Sequence, residues 1–174
     1  SPCGGGAELL VREITKKTNE LGTNCKAIYF NYWAFCAKTI DFTDNEQSLN
    51  IGCRNPFVII KLRKIFKTEL IGCSSLIVHA HLTWPMFFVP LACLGLPIKL
   101  FFTEHSTEHS NINSFRNFFI FKNIEKIFYN RYHSIIAITE GVKYGLINWL
   151  GSGLSNKVST IINGARFFSY KERK

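Results

Sequence analysis

The chain has 174 residues, enough for one domain with a buried core and too few for two ordinary domains. Apolar residues make up 47% of it, which excludes a disordered protein. The formal charge of +9 favours anionic partners such as nucleotide phosphates or acidic lipid headgroups, and because no RNA-binding or zinc-finger signature is present, no nucleic acid is expected as a partner.

The first third of the chain predicts a helix, a strand and a second helix. Glycines 4–6 precede apolar residues at helical spacing, which predicts a glycine loop that opens a helix ending at Gly22. Residues 27–30 are rich in strand formers and predict a strand. The polar stretch 39–55 predicts a loop with room for a short strand, and a basic amphipathic helix follows to about Leu70.

The middle of the chain alternates strand, helix and strand. Residues 76–81 and 98–103 predict two strands, and the apolar residues 86–94 between them predict a helix. The whole apolar stretch from Trp84 to Phe102 approaches the length of a membrane span. Prolines, a glycine and a lysine interrupt it, so we expect a buried helix and strand instead.

The last third predicts a long helix and then a strand, a helix and a strand. The long helix runs from about residue 114 to Tyr132, and Ile124, Ile127 and Phe128 are predicted on its buried face because they repeat at three- and four-residue spacing. The remaining predicted elements are a strand at 134–138, a helix capped by Thr139 and ending at Leu150, and an extended run at 158–162.

Continuous apolar strands that alternate with helices predict an α/β fold, with a Rossmann-like, doubly wound, mostly parallel sheet covered on both faces. Ligands of such folds bind at the carboxyl ends of the strands. A doubly wound fold normally has its first strand before the glycine loop. No strand precedes Gly4, so we expect that strand to be missing from the chain.

Polar residues follow the strand at 98–103, in the segment Thr103-Glu104-His105-Ser106-Thr107. They should project at the rim where ligands bind. The imidazole of His105 can hydrogen-bond a sugar hydroxyl or exchange a proton near neutral pH. From the residues alone, a loop histidine held by a neighbour is an equally good interpretation.

The glycine loop is a candidate phosphate site. Backbone N–H groups of Gly4, Gly5 and Gly6 can approach a phosphate closely, and the dipole of the following helix favours negative charge. The loop matches neither the GxGxxG nor the P-loop pattern, so an ordinary turn stays open as an interpretation.

A metal site is the sharpest competing hypothesis. Residues 105–109 fit the H-x-x-E-H pattern of zinc hydrolases, which requires a helix to place both histidines on one face, whereas here the pattern follows a strand. His79 and His81 share one face of their strand and could join His105 around a metal, but rim or core histidines explain them more simply. We therefore expect no metal.

Two further residues have sufficient structural explanations. Glu140 stabilises a helix start through the helix dipole, and Asn163-Gly164 is typical of a turn. The six cysteines lie far apart without a CxxC pair, a pattern that favours a reduced, cytoplasmic protein.

Five motifs, in this order and spacing, resemble the amino-terminal domain of family 4 glycosyltransferases. They are Gly5-Gly6-Ala7-Glu8, Ile77-Val78-His79-Ala80-His81, Thr103-Glu104-His105-Ser106-Thr107, Ile136-Ala137-Ile138-Thr139-Glu140 and Ile161-Ile162-Asn163-Gly164-Ala165. The resemblance covers nearly the whole chain, which predicts a domain at residues 1–168 and the start of a linker or tail at 169–174.

The resemblance implies one half of a GT-B fold, in which two Rossmann-like domains face each other across a cleft. The amino-terminal domain mainly binds the acceptor, and a carboxyl-terminal domain, missing here, holds the sugar nucleotide. A hexose would pass from a nucleotide-sugar donor to a glycan or lipid-linked acceptor in surface-polysaccharide assembly, with retained anomeric configuration and no metal or other cofactor. This domain alone is expected to be inactive.

The resemblance also implies roles for individual residues. His105 would be the catalytic residue near the transferred sugar, and Gly5 and Gly6 would approach the donor diphosphate. The remaining candidates for the acceptor site or the cleft are His81, Thr103, Glu104, Ser106, Glu140 and Asn163.

Two surface segments bear on partners and location. The basic segments 61–67 and 116–131 predict a domain that rests on anionic lipid at the cytoplasmic face of a membrane, or else a solvated basic face. Two other classes of function stay open: a noncatalytic module that binds a nucleotide or a sugar phosphate on the same fold, and the zinc hydrolase.

Overall fold

The computed structural model describes residues 6–31, 42–106 and 119–163. Helices and parallel strands alternate along them. The helices are α1 (Gly6–Glu20), α2 (Phe57–Glu69), α3 (Thr83–Ala92), α4 (Phe119–Arg131) and α5 (Glu140–Leu150); the strands are β1 (Ala27–Tyr29), β2 (Glu46–Ser48), β3 (Leu76–His81), β4 (Ile98–Glu104), β5 (Ser134–Ala137) and β6 (Val158–Thr160).

Four strands form one parallel sheet in the order β3-β4-β5-β6, and β1 and β2 form a separate parallel pair. In the larger sheet, His81 at the end of β3 lies opposite Thr103 of β4, and Glu104 of β4 lies opposite Ala137 of β5. Parallel strands bring all their carboxyl ends to one edge. This architecture confirms the predicted Rossmann-like α/β class.

The hydrophobic core joins the four-stranded sheet to α2, α3, α4 and α5. On α2, Val58, Leu62 and Phe66 repeat every four residues and are buried, so one stripe of the helix faces the core. Burial of a side chain of this size stabilises the fold by roughly 1.5–3 kcal/mol. One face of α2 is therefore part of the core on which the sheet packs.

The apolar stretch 84–102 divides into α3 and β4, as predicted. A turn at Gly95, whose φ of 70° suits glycine, separates the two elements. Of the helices that the structure describes, none combines the length and the apolar character needed to cross a membrane.

The start of α5 follows the prediction. Thr139 has an extended backbone, and its hydroxyl oxygen accepts a hydrogen bond from the backbone N–H of Val142 at 3.1 Å. Beyond α5, a short 3-10 helix at Ser152–Lys157, which the sequence pattern did not predict, leads into β6. The strand ends at Thr160, two residues before the predicted bound.

The predicted buried face of α4 is confirmed at Phe128, which packs against Phe87 and the core, and is wrong at the two isoleucines. Ile124 and Ile127 are 39% and 59% exposed, whereas Glu125 and Tyr129 are only 5% and 1% exposed. The Glu125 carboxylate accepts a hydrogen bond from the indole N–H of Trp149 at 2.6 Å, and the Tyr129 hydroxyl donates to a carboxylate that ends β4. Because these bonds satisfy their polar tips, the amphipathic side chains fill the core and the isoleucines face solvent.

A buried carboxylate fixes α1 against the small sheet. Arg12 of α1 contacts both oxygens of Glu46 on β2, with Nε 2.8 Å from Oε1 and Nη2 2.9 Å from Oε2. The hydroxyl of Tyr29 on β1 donates to the same carboxylate at 3.0 Å. Two-point binding of this kind sets the orientation of the helix as well as its distance.

Candidate active site

The carboxyl ends of β3 and β4 bring four predicted site residues together. His81 ends β3 beside Thr103 of β4, and Glu104 and His105 follow Thr103 directly. Both strands stop at the same edge because they are parallel. The position of His105 at the rim, predicted from the sequence, is therefore where the structure places it.

His81 and His105 form a hydrogen-bonded pair. Nδ1 of His81 lies 3.1 Å from Nε2 of His105, and the ring centroids are 5.4 Å apart. Both rings are half-buried. At this distance one nitrogen donates a proton and the other accepts it, so the two rings share a single hydrogen.

A second histidine contact lies two residues earlier on β3, at His79. Nε2 of His79 lies 2.7 Å from the hydroxyl oxygen of Thr103, and the rings of His79 and His81 are 4.3 Å apart. Thr103 is 4% exposed. Its hydroxyl thus bonds to His79, and the ring of His79 in turn packs against His81 and holds it in place.

Glu104 points into the protein and braces the turn that carries His105. Its side chain is buried, with Oε1 accepting from the backbone N–H of Ser106 at 2.9 Å and Oε2 accepting from the hydroxyl of Tyr129 at 2.6 Å. A carboxylate with hydrogen bonds on both oxygens is satisfied in a buried position. The chain direction after β4 is fixed by these two bonds.

The histidines of the pair are neutral at pH 7. Burial, followed by repulsion from protonated His79 and His105, lowers the pKa of His81 to about 3. Burial also lowers the pKa of His105, against the opposing attraction of the Glu104 and Glu8 carboxylates. When the pair takes up a proton, these carboxylates favour His105 as its holder.

The amino terminus of α1 lies within electrostatic range of His105. Glu8 belongs to the first turn of α1, and its charge, like that of Glu104, partly offsets the lowering of the His105 pKa by burial. Gly6 is the first residue of the helix, is exposed, and has open space where a Cβ would stand. The first N–H groups of a helix lack intrahelical partners and favour anions.

The remaining predicted site residues follow the neighbouring strands. Glu140 is the exposed first residue of α5, and Asn163 is exposed beyond the end of β6. Gly5, like Glu108 and His109 of the H-x-x-E-H pattern, lies outside the described residues. Within the described ranges, no three His, Cys, Asp or Glu side chains are grouped so that they could hold a metal ion.

Comparison with protein families decides the class of the protein. The model of Glycosyltransferase Family 4 matches residues 4–166. This chain belongs to glycosyltransferase family 4. No curated protein matches it.

Family membership makes the chain a glycosyltransferase domain with a sugar donor and an acceptor as substrates. The roles predicted for His105, Gly5, Gly6, His81, Thr103, Glu104, Ser106, Glu140 and Asn163 remain predictions. Sequence reasoning missed Tyr129, which lies next to the apolar residues of α4 and gave no signal of its own. It did name His79, but not its bond to Thr103, because that bond depends on the strand register.

Replacing Tyr129 with Phe should lower the free energy of unfolding by about 1–3 kcal/mol, because the buried Glu104 carboxylate loses the hydrogen bond that the Tyr129 hydroxyl donates to it. Urea denaturation measures the change. The matched control is Tyr144→Phe on α5, whose side chain is 69% exposed and should change the free energy by less than about 0.5 kcal/mol. Equal effects of the two substitutions would show that the Glu104–Tyr129 bond does not stabilise the turn.

Acidification should destabilise the protein through His81. Folded His81 titrates at a pKa of about 3, below its ordinary value of 6.5, so between these values the unfolded chain binds a proton that the folded protein rejects. The contribution of His81 to the free energy of unfolding is constant above pH 7 and decreases as the pH falls toward the folded pKa. His81→Asn removes the titrating ring, and from pH 7 to 5 the variant should lose about 1–2 kcal/mol less than the native protein. Parallel pH slopes in urea denaturation would contradict this.

Proposed function

We propose that this domain is the amino-terminal, acceptor-side half of a retaining glycosyltransferase. The enzyme transfers a hexose from a nucleotide sugar to a glycan or lipid-linked acceptor in surface-polysaccharide assembly. A second, carboxyl-terminal domain holds the donor and supplies the rest of the catalytic machinery. The observation that carries the proposal is the position of His105 at the carboxyl edge of the sheet, where its ring is hydrogen-bonded to His81.

The start of α1 suits the diphosphate of the donor. Backbone N–H groups at Gly5 and Gly6, together with the helix dipole, favour an anion, and the exposed start of the helix leaves room for one. Charge builds up on the diphosphate as the sugar departs, and donors aimed at that charge lower the barrier. The proposed reaction uses N–H groups and basic side chains of both domains for this purpose, without a metal or other cofactor.

His105 suits the sugar. Nε2 of its ring is occupied by His81, and Nδ1 has no hydrogen-bond partner among the described residues, so one nitrogen is left for a ligand. A neutral imidazole at the rim of a cleft can donate to or accept from a sugar hydroxyl. His81, Ser106, Glu140 and Asn163 lie at or near the same edge and are proposed to shape the acceptor side of the cleft.

One face of α2 suits the cytoplasmic surface of an anionic membrane. Phe57 and Ile60 are 66% and 64% exposed, and Lys64 and Lys67 follow at helical spacing on the same side. Exposed apolar side chains among lysines are typical of helices that rest on acidic headgroups. The proposed enzyme therefore works beside a membrane, where a lipid-linked acceptor would be presented.

The proposal is tested in protein that carries both domains. Glycosyl transfer and donor hydrolysis are measured with a panel of nucleotide sugars, in the presence of a chelator, for the native protein and for His105→Ala. Removal of the imidazole should lower kcat/KM by about 100-fold or more, since His105 contacts the sugar in the reacting complex. The matched control is His133→Ala. His133 is exposed just before β5, at the opposite edge of the sheet, and its loss should leave activity within about twofold.

Each other outcome removes part of the proposal. If the native protein binds nucleotide sugars but consumes none of them, the domain is a binding module. If chelation abolishes activity, the reaction depends on a metal. If both histidine variants retain full activity, His105 has no part in transfer.

A further inference from the structure

The contact between His81 and His105 is the most specific polar contact at the rim. It joins the last residue of β3 to the residue that follows β4, with nitrogens 3.1 Å apart. The ring of His81 lies against His79, which is itself bonded to Thr103. His81 is therefore the better-anchored member of the pair, and His105 takes its orientation from it.

This contact constrains the chemistry of His105. Because Nε2 meets His81, only Nδ1 can meet a ligand. When His81 donates its Nδ1 proton, Nε2 of His105 is the acceptor and the hydrogen of the neutral ring is on Nδ1. When the pair gains a proton, both nitrogens of His105 carry hydrogens and Nδ1 is again a donor.

We propose that His81 is a positioning residue that fixes the ring of His105 and holds it in the tautomer with the hydrogen on Nδ1, directed at an oxygen of the donor sugar. His81 itself does not touch the sugar. The inference rests on the proposed function, because it assigns His81 a role in the transfer step at His105. In this arrangement Nδ1 of His81 donates to Nε2 of His105, so the hydrogen of the neutral His105 ring is on Nδ1.

Asn and Gln substitutions at His81 separate this role from simple packing. The side-chain amide of Asn occupies the place of the imidazole Nδ1, whereas the amide of Gln reaches the place of Nε2. Only Asn can keep the bond to His105. His133→Phe is the matched control, because it replaces an exposed histidine just before β5, at the opposite edge of the sheet and away from the pair.

The first readout is the kinetics of transfer in protein that carries both domains. His81→Phe and His81→Gln should each lower kcat by about tenfold or more with little change in KM, whereas His81→Asn and His133→Phe should stay within about threefold of the native value. If His105→Ala abolishes transfer and all His81 variants remain fully active, the positioning role is overturned while the proposed function stands. If His105→Ala is itself fully active, the proposed function fails first.

The second readout is independent of activity. Nitrogen NMR of the imidazoles distinguishes a protonated from an unprotonated ring nitrogen. His105 should carry its hydrogen on Nδ1 in the native protein and in His81→Asn, and should shift toward the other tautomer in His81→Gln. A hydrogen on Nε2 of His105 in the native protein overturns the inference, even if His81→Phe fails to fold.

Discussion

The candidate site depends on the hydrogen bonds that the buried carboxylate of Glu104 accepts. Glu104 ends the central strand β4 with one oxygen bound to the backbone of Ser106 and the other to the hydroxyl of Tyr129. A buried carboxylate without such partners would destabilise the fold by several kcal/mol. The folded protein must therefore keep both bonds, protonate the carboxylate or expose it to solvent. Because His105 lies between Glu104 and Ser106 in the chain, satisfying this charge also sets where the imidazole emerges.

Two polar networks, centred on Glu104 and Glu46, fix different elements of the domain. Glu104 fixes the turn after β4 from the core side. Glu46 fixes α1, because its two carboxylate oxygens contact Nε and Nη2 of Arg12. The carboxylate of Glu8, in the first turn of α1, partly offsets the lowering of the His105 pKa by burial. In the proposed function, the start of α1 receives an anion and the imidazole of His105 meets a sugar, and the two are held by separate elements.

Much of the fold followed from the sequence, because apolar runs and caps are local signals. Thr139 caps its helix as its type and position predict, and His105 emerges at the rim because an apolar strand runs straight into polar residues. The burial of Glu125 and Tyr129 on α4 did not follow, since these side chains are stabilised in the core by partners distant in the chain. Nor did the contact of His105 with His81, which depends on the register between β3 and β4.

The measurement that tests the account most directly is the structure of the two-domain protein with an intact nucleotide sugar or a non-transferable analogue. The account predicts that Nδ1 of His105 lies within about 3.2 Å of a sugar oxygen, while Nε2 keeps its contact with His81. It also predicts the diphosphate at the start of α1. A donor bound with its sugar beyond about 5 Å from His105, outside hydrogen-bond reach, would contradict the central claim that this rim is where transfer occurs.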